Sequence, residues 1–315
     1  MKVVLTDQVF PTIDTERKIL ADIGVELVVL DDPSPESIRV KARDADALLN
    51  TYAPIDRETL DHLEKCKVIA RYGIGVDNVD LEAARERGVV VTNVPDYCVD
   101  EVSDHTLALL LAVVRKVVTG HAHTVGGGWG IEPMRPIHRL RGQTLGLIGF
   151  GNIARGVATR AQAFGLQVHT FDPYVQDDVL ESHNVLRVDS LDGLLEGSDI
   201  VSVHAPLLPE TRGLIGAATI QRMRPGGIVL NTSRGPIVDV KAVVDALRTG
   251  RLGGAGLDVF PTEPPEASLF ADVKNLVVTP HAAFYSDEAI TESQTKAAGN
   301  IAAVLTGNEP RYRVN

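Results

Sequence analysis

TLGLIGFGNIARGVATRAQAFG, residues 144–165, decides the architecture. An apolar run leads into Gly149, Gly151 and Ala154, spaced G-x-G-x-x-A, and an amphipathic stretch follows. That spacing reads as strand, tight turn and helix. Gly149 permits the turn, Gly151 lets backbone N–H groups come close to a ligand, and Ala154 lets the helix pack on the strand. A helix N-terminus so placed offers unpaired N–H groups and a partial positive charge, which suits a pyrophosphate. Asp172 closes the next apolar run about twenty residues on, where a carboxylate binds ribose hydroxyls and repels a 2′-phosphate. The reading is a dinucleotide site that takes NAD in preference to NADP.

Outward from this stretch, short β-branched runs alternate with helical patterns. Downstream, strands are expected at 144–149, 168–172, 200–203, 228–231, 255–258 and 276–279, a doubly wound parallel sheet. Upstream, strands at 3–6, 26–30, 47–50, 68–71 and 89–92 make a second, smaller α/β domain. Between the two series, residues 99–125 read as one long apolar helix that must be buried against a sheet, another domain or a second subunit. The last helical pattern, 287–305, has too little chain after it for a new domain and is expected to pack back on the first. The domains are therefore 1–98 with 286–315, and 99–285.

Composition narrows the function. At 315 residues, 44% hydrophobic and 23% charged, the chain is too apolar to be disordered and long enough for about two domains. Lys plus Arg is 31 against 42 Asp plus Glu, a net charge of −11. So acidic a protein has no bulk attraction for nucleic acid or anionic lipid. Cys66 and Cys98 show no metal-ligand spacing and read as two reduced thiols, with no metal expected. The opening MKVVLTDQVF lacks a signal-peptide pattern, and the apolar stretch 107–118 is short and interrupted by Arg115 and Lys116. No membrane partner is expected, and the expected location is the cytoplasm.

Three further segments follow expected strand ends, where open α/β sheets place their ligands: NTSRGPIVD (231–239), GLDVFPTEPP (256–265) and TPHAAFYS (279–286). With RYGIGVDNVD (71–80), EVSDHT (101–106) and HAPLLPETR (204–212), they resemble the D-isomer-specific 2-hydroxyacid dehydrogenases over nearly the whole chain. RLRGQTLGLIGFG (139–151) with HAAFYS is most similar to the branch of C-terminal-binding-protein-like dehydrogenases. The resemblance implies two Rossmann-like domains, the NAD-binding one and a discontinuous, flavodoxin-like substrate domain. It implies an NAD-dependent enzyme acting on a small 2-oxo or 2-hydroxy acid such as glyoxylate or hydroxypyruvate, working as a homodimer.

Arg234, Glu263 and His281 stand at the family's catalytic positions. Their chemistry agrees: Arg234 can hold a carboxylate beside a carbonyl, and His281 can exchange a proton with the substrate oxygen. Glu263 would orient the imidazole and favour its protonated form. Cofactor contacts implied by the resemblance are Thr106, Gly149, Gly151, Asn152, Ile153, Asp172, Ala205, Pro206, Thr211, Thr232, Ser233, Arg234, Asp258, His281 and Ala283. For the substrate they are Tyr52, Gly73, Ile74, Gly75 and Arg234. Asn152 stands where many relatives carry Arg, so one phosphate contact is expected to shift. A phosphoglycerate-dehydrogenase-like enzyme is an alternative within the class, and an NADH-sensing, corepressor-like scaffold is the alternative outside it. A formate dehydrogenase is disfavoured, since similar enzymes of that type carry Gln at the Glu263 position.

Overall fold

Aliphatic runs too apolar to face water on either side make parallel strands covered by helices on both faces. The computed structural model describes all residues 1–315 and divides into two units, Met1–Cys98 with Tyr285–Asn315, and Val99–Phe284. The return to the first unit comes at Tyr285, one residue before the expected 286.

The first unit runs β1 (Lys2–Leu5), α1 (Asp14–Ala21), β2 (Glu26–Val29), α2 (Pro35–Lys41), β3 (Ala47–Asn50), α3 (Arg57–His62), β4 (Val68–Arg71), α4 (Leu81–Glu86) and β5 (Val90–Thr92). Its strands are all parallel in the order β2-β1-β3-β4-β5, the flavodoxin-like order. β3 and β4 are buried along their whole length, as central parallel strands must be. Ser34, Asp56 and Asp80 cap α2, α3 and α4 by accepting the N–H three residues on, each worth about 1 kcal/mol.

The second unit begins with α5 (Val99–Val114) and α6 (Val117–Val125). It continues β6 (Thr144–Ile148), α7 (Asn152–Ala163), β7 (Gln167–Phe171), α8 (Asp177–Ser182), β8 (Leu186–Arg187), α9 (Leu191–Gly197) and β9 (Ile200–Val203). It closes with α10 (Ala217–Arg222), β10 (Gly227–Asn231), α11 (Val240–Arg248), β11 (Leu252–Leu257) and β12 (Leu276–Val278). The parallel order β12-β11-β10-β9-β6-β7-β8 is the doubly wound order with one further strand at its edge. Neighbouring β6 and β9 mark the switch point, so the glycine turn after β6 opens at the place where such sheets bind ligands.

Three expectations need correction. β8 went unread because a two-residue edge strand has no periodicity to detect. β11 starts at Leu252, earlier than expected, because its glycines look like breakers. Their reason is packing: a Cβ on Gly254 would fall onto Val113 of α5, and one on Gly256 would stand 2.9 Å from Leu109. The long helix is two helices. Lys116 adopts a left-handed φ of 49°, α5 buries its apolar face on its own sheet and on α7, and α6 buries nothing.

Tyr285 returns the chain to the first unit, where Ser286 caps α12 (Asp287–Leu305) and that helix packs on α1 and β4. The tail beyond it runs antiparallel along β5: Asn93 N–H donates to Tyr312 O, and Val314 N–H to Val91 O. Cys66 and Cys98 form no disulfide, and burial pushes the Cys66 thiol up to about 12. No helix is long and apolar enough to cross a membrane.

Candidate active site

At the carboxyl end of β6, Gly149 takes a φ of 90°, and a Cβ there would stand 3.1 Å from the backbone of His204 and Ala205. Only glycine makes this turn without strain. The next N–H, of Phe150, donates to Asp172 Oδ2 at 2.7 Å. Gly151 then starts α7 with open space where a side chain would be, and no side chain caps the helix. Its first N–H groups therefore have no intrahelical partner and face outward beside exposed Asn152. Ala154 is fully buried beneath. These features fit the pyrophosphate of a dinucleotide. Asp172 shapes the adjoining loop too, with Oδ1 accepting from Tyr174 N–H at 2.8 Å and Val175 N–H at 3.1 Å. Pro206 is exposed nearby in sequence, and the Thr211 hydroxyl ties the loop by donating to Pro206 O.

After β10, fully buried Asn231 clamps the next loop from both sides. Its Oδ1 accepts Ser233 N–H at 3.0 Å and its Nδ2 donates to Arg234 O at 2.9 Å. The Ser233 hydroxyl donates to Ala205 O, and Arg234 Nη1 donates to Ser233 O at 2.9 Å. Gly235 has a second role, because a Cβ there would fall onto the Phe260 backbone. The loops bearing Arg234 and Glu263 can therefore lie directly against one another.

Glu263 Oε1 accepts Phe260 N–H at 2.9 Å, and Oε2 lies 2.8 Å from His281 Nδ1. Burial alone would push this carboxyl up. The hydrogen bonds from His281 and Phe260, with the charges of His281 and Arg234, outweigh burial and hold it below the usual value. His281 sits at a left-handed φ of 52°, with its N–H donating to Asp258 O at 2.8 Å. Asp258 has no exposed surface. Its oxygens accept from the Thr279 hydroxyl at 2.5 Å and from the N–H groups of Ala282 and Ala283 at 2.9 and 3.0 Å. His105 closes this cluster through Thr279 Oγ1 at 2.9 Å.

Two of the expected cofactor contacts, Asp258 and Thr106, are held by hydrogen bonds within the unit. Asp258 has both oxygens committed to the turn that carries His281. Thr106 has no exposed surface: its hydroxyl donates to Val102 O and pairs with Thr232 Oγ1 at 2.8 Å. Ala205, Thr232 and Ala283 keep little exposed surface, whereas Ile153 and Ser233 are half-buried.

In the first unit, Gly73, Ile74 and Gly75 follow β4 as a half-buried loop. A Cβ on Gly73 would fall onto the Arg71 guanidinium. No group of the unit accepts from the N–H groups of these three residues. Tyr52 is exposed, on a loop whose N–H groups at 51, 52 and 53 all donate to Asp7. Asp7 went unread as a site residue, because it acts on the Tyr52 loop far along the chain and no local motif marks it. Asn231 and His105 lie within NTSRGPIVD and EVSDHT, but their bonds to the Arg234 loop and to Thr279 are not legible there.

The model of the family described as "D-isomer specific 2-hydroxyacid dehydrogenase, NAD binding domain" matches residues 107–283. A D-3-phosphoglycerate dehydrogenase from Methanocaldococcus jannaschii is 37% identical over 100% of this chain, which spans 59% of that protein's length. A glyoxylate reductase from Thermococcus litoralis is 38% identical over 87% of this chain and 85% of its own. Among solved structures, a Thermus thermophilus protein is 39% identical over the full length of both chains, with a TM-score of 0.90.

Proposed function

Because the chain belongs to the D-isomer specific 2-hydroxyacid dehydrogenase family, whose members are NAD-dependent oxidoreductases acting on CH–OH groups, we propose that it reduces a small 2-oxo acid such as glyoxylate or hydroxypyruvate. The observation that carries this reading is the 2.8 Å contact of Glu263 with His281 Nδ1, in the unit that holds the glycine turn and Arg234. Bound NADH supplies the hydride. His281, held at Nδ1 by Glu263, gives a proton from Nε2 to the substrate's 2-oxo oxygen, and takes one from the hydroxyl in the reverse direction. Glu263 fixes the orientation of the imidazole for that exchange. Arg234 holds the carboxylate and polarises the carbonyl with its guanidinium charge. Gly73, Ile74 and Gly75 offer N–H groups to a carboxylate, and Tyr52 meets the substrate side chain.

NADH oxidation against glyoxylate, hydroxypyruvate, pyruvate and a phosphorylated hydroxypyruvate tests the proposal, beside His281→Ala. Turnover that the variant loses by about 100-fold or more, with NADH binding kept, is the expected result. NADH binding without turnover on any acid would favour the scaffold instead. Preference for the phosphorylated acid would favour the reading suggested by the phosphoglycerate dehydrogenase relative.

The protein is further proposed to be a cytoplasmic homodimer. The apolar face of α5 is covered within its own unit and asks for no partner. Val117, Val118 and Val125 of α6, with Trp129 and Ile131 beyond it, are the large apolar side chains left exposed on this stretch.

A further inference from the structure

The loop Gly73–Gly75 is held from behind by residues that reach it from far along the chain. The hydroxyl of fully buried Ser293, on α12, donates to Tyr72 O at 2.6 Å. Val94 N–H donates to Gly73 O at 3.1 Å, and Asn93 Nδ2 donates to Ile74 O at 2.7 Å. Three consecutive carbonyls are thereby pinned into the unit, while no group of the unit accepts from the N–H groups at 73, 74 and 75. Tyr72 is fixed at its other polar groups as well. Its N–H donates to Asn50 O, and its hydroxyl donates to Glu16 Oε1 at 2.7 Å. Glu16 is fully buried and also accepts from Gln294 Nε2.

Asn93 has supports of its own. Its N–H donates to Tyr312 O, its carbonyl accepts from Asn300 Nδ2, and Asn300 Oδ1 accepts Arg311 N–H. Every prop but the β3 and β5 ends and Glu16 comes from α12 or the tail.

We propose that Asn93 and Ser293 are positioning residues for substrate binding: by anchoring the Ile74 and Tyr72 carbonyls they fix the peptide planes whose N–H groups take the substrate carboxylate. The inference rests on the reading of 73–75 as a carboxylate-binding loop. A peptide plane held at its oxygen has its N–H direction set in advance, so the ligand does not have to order it on binding. Neither side chain touches the reacting atoms, so their loss weakens binding and leaves the chemical step intact.

Asn93→Asp keeps the shape and removes the donor, Ser293→Ala removes the hydroxyl, and Ser293→Thr restores it. Two quantities are read on the NADH-loaded enzyme: KM and kcat for glyoxylate, and the Kd of the unreactive dicarboxylate oxalate. The expected result is a rise of about tenfold in KM and oxalate Kd for Asn93→Asp and Ser293→Ala. kcat and NADH affinity should stay within about twofold, with recovery in Ser293→Thr. Ile74→Pro, which deletes one loop N–H, separates the two claims. If Ile74→Pro weakens oxalate while Asn93→Asp and Ser293→Ala bind it normally, the positioning role is wrong and the loop reading stands. If Ile74→Pro binds oxalate normally, or the parent fails to bind it, both fall.

Discussion

Glu263 serves two partners with one carboxylate, Phe260 N–H through Oε1 and His281 through Oε2. Glu263→Gln keeps the shape and removes the charge, and kcat for reduction should fall about 100-fold with NADH affinity unchanged, as steady-state kinetics and NADH titration would show. The same carboxyl has a stability signature. Its folded pKa lies below the usual 4.5, so its stabilisation is complete above 4.5 and is lost as pH falls through the lower folded value. Thermal melts between about pH 5 and 3 should therefore drop less steeply for Glu263→Gln than for the parent. Arg234, Glu263 and His281 are legible as candidates because each lies in a contiguous motif. Asp258 and Thr106 show where such reading stops: their motifs mark the neighbourhood, but not that each side chain is fully buried and bonded to a turn or a helix. Burial belongs to the tertiary structure and leaves no local mark.

Glycine position decides more than glycine content at the level of elements. In β11, Gly254 exists so that α5 can lie against the strand, and Gly254→Ala should cost about 1–3 kcal/mol in urea unfolding through forced repacking of Val113 and Asn275. Gly299, inside α12 with open space around it, is the opposite case. Gly299→Ala should stabilise by up to about 1 kcal/mol, since alanine restrains the unfolded chain and favours helix. Equal shifts for the two would show that close packing is not what selects Gly254. Sequence periodicity recovers most strands of both sheets because buried parallel strands are continuous apolar runs. It leaves out the start of β11, and it runs α5 into α6 because apolar content continues past Lys116 while the supporting sheet does not.

On the scale of the molecule, the unpartnered apolar groups of α6 and its following loop are the test of self-association. The parent should sediment at the dimer mass at micromolar concentration, and Val117→Asp with Val118→Asp should shift it to the monomer with its circular dichroism unchanged. A parent that sediments as a monomer would remove the proposed homodimer. The interrupted first unit also sets an order of events during synthesis. Domains generally fold as units in the order they emerge, N-terminal first. Here α1 and β4 must wait for α12, and β5 for the tail, until the whole of 99–284 has been made. The nascent protein thus completes its nucleotide-binding half first, while the earlier-born half is a sheet with a missing helix that needs shelter until the ribosome delivers it.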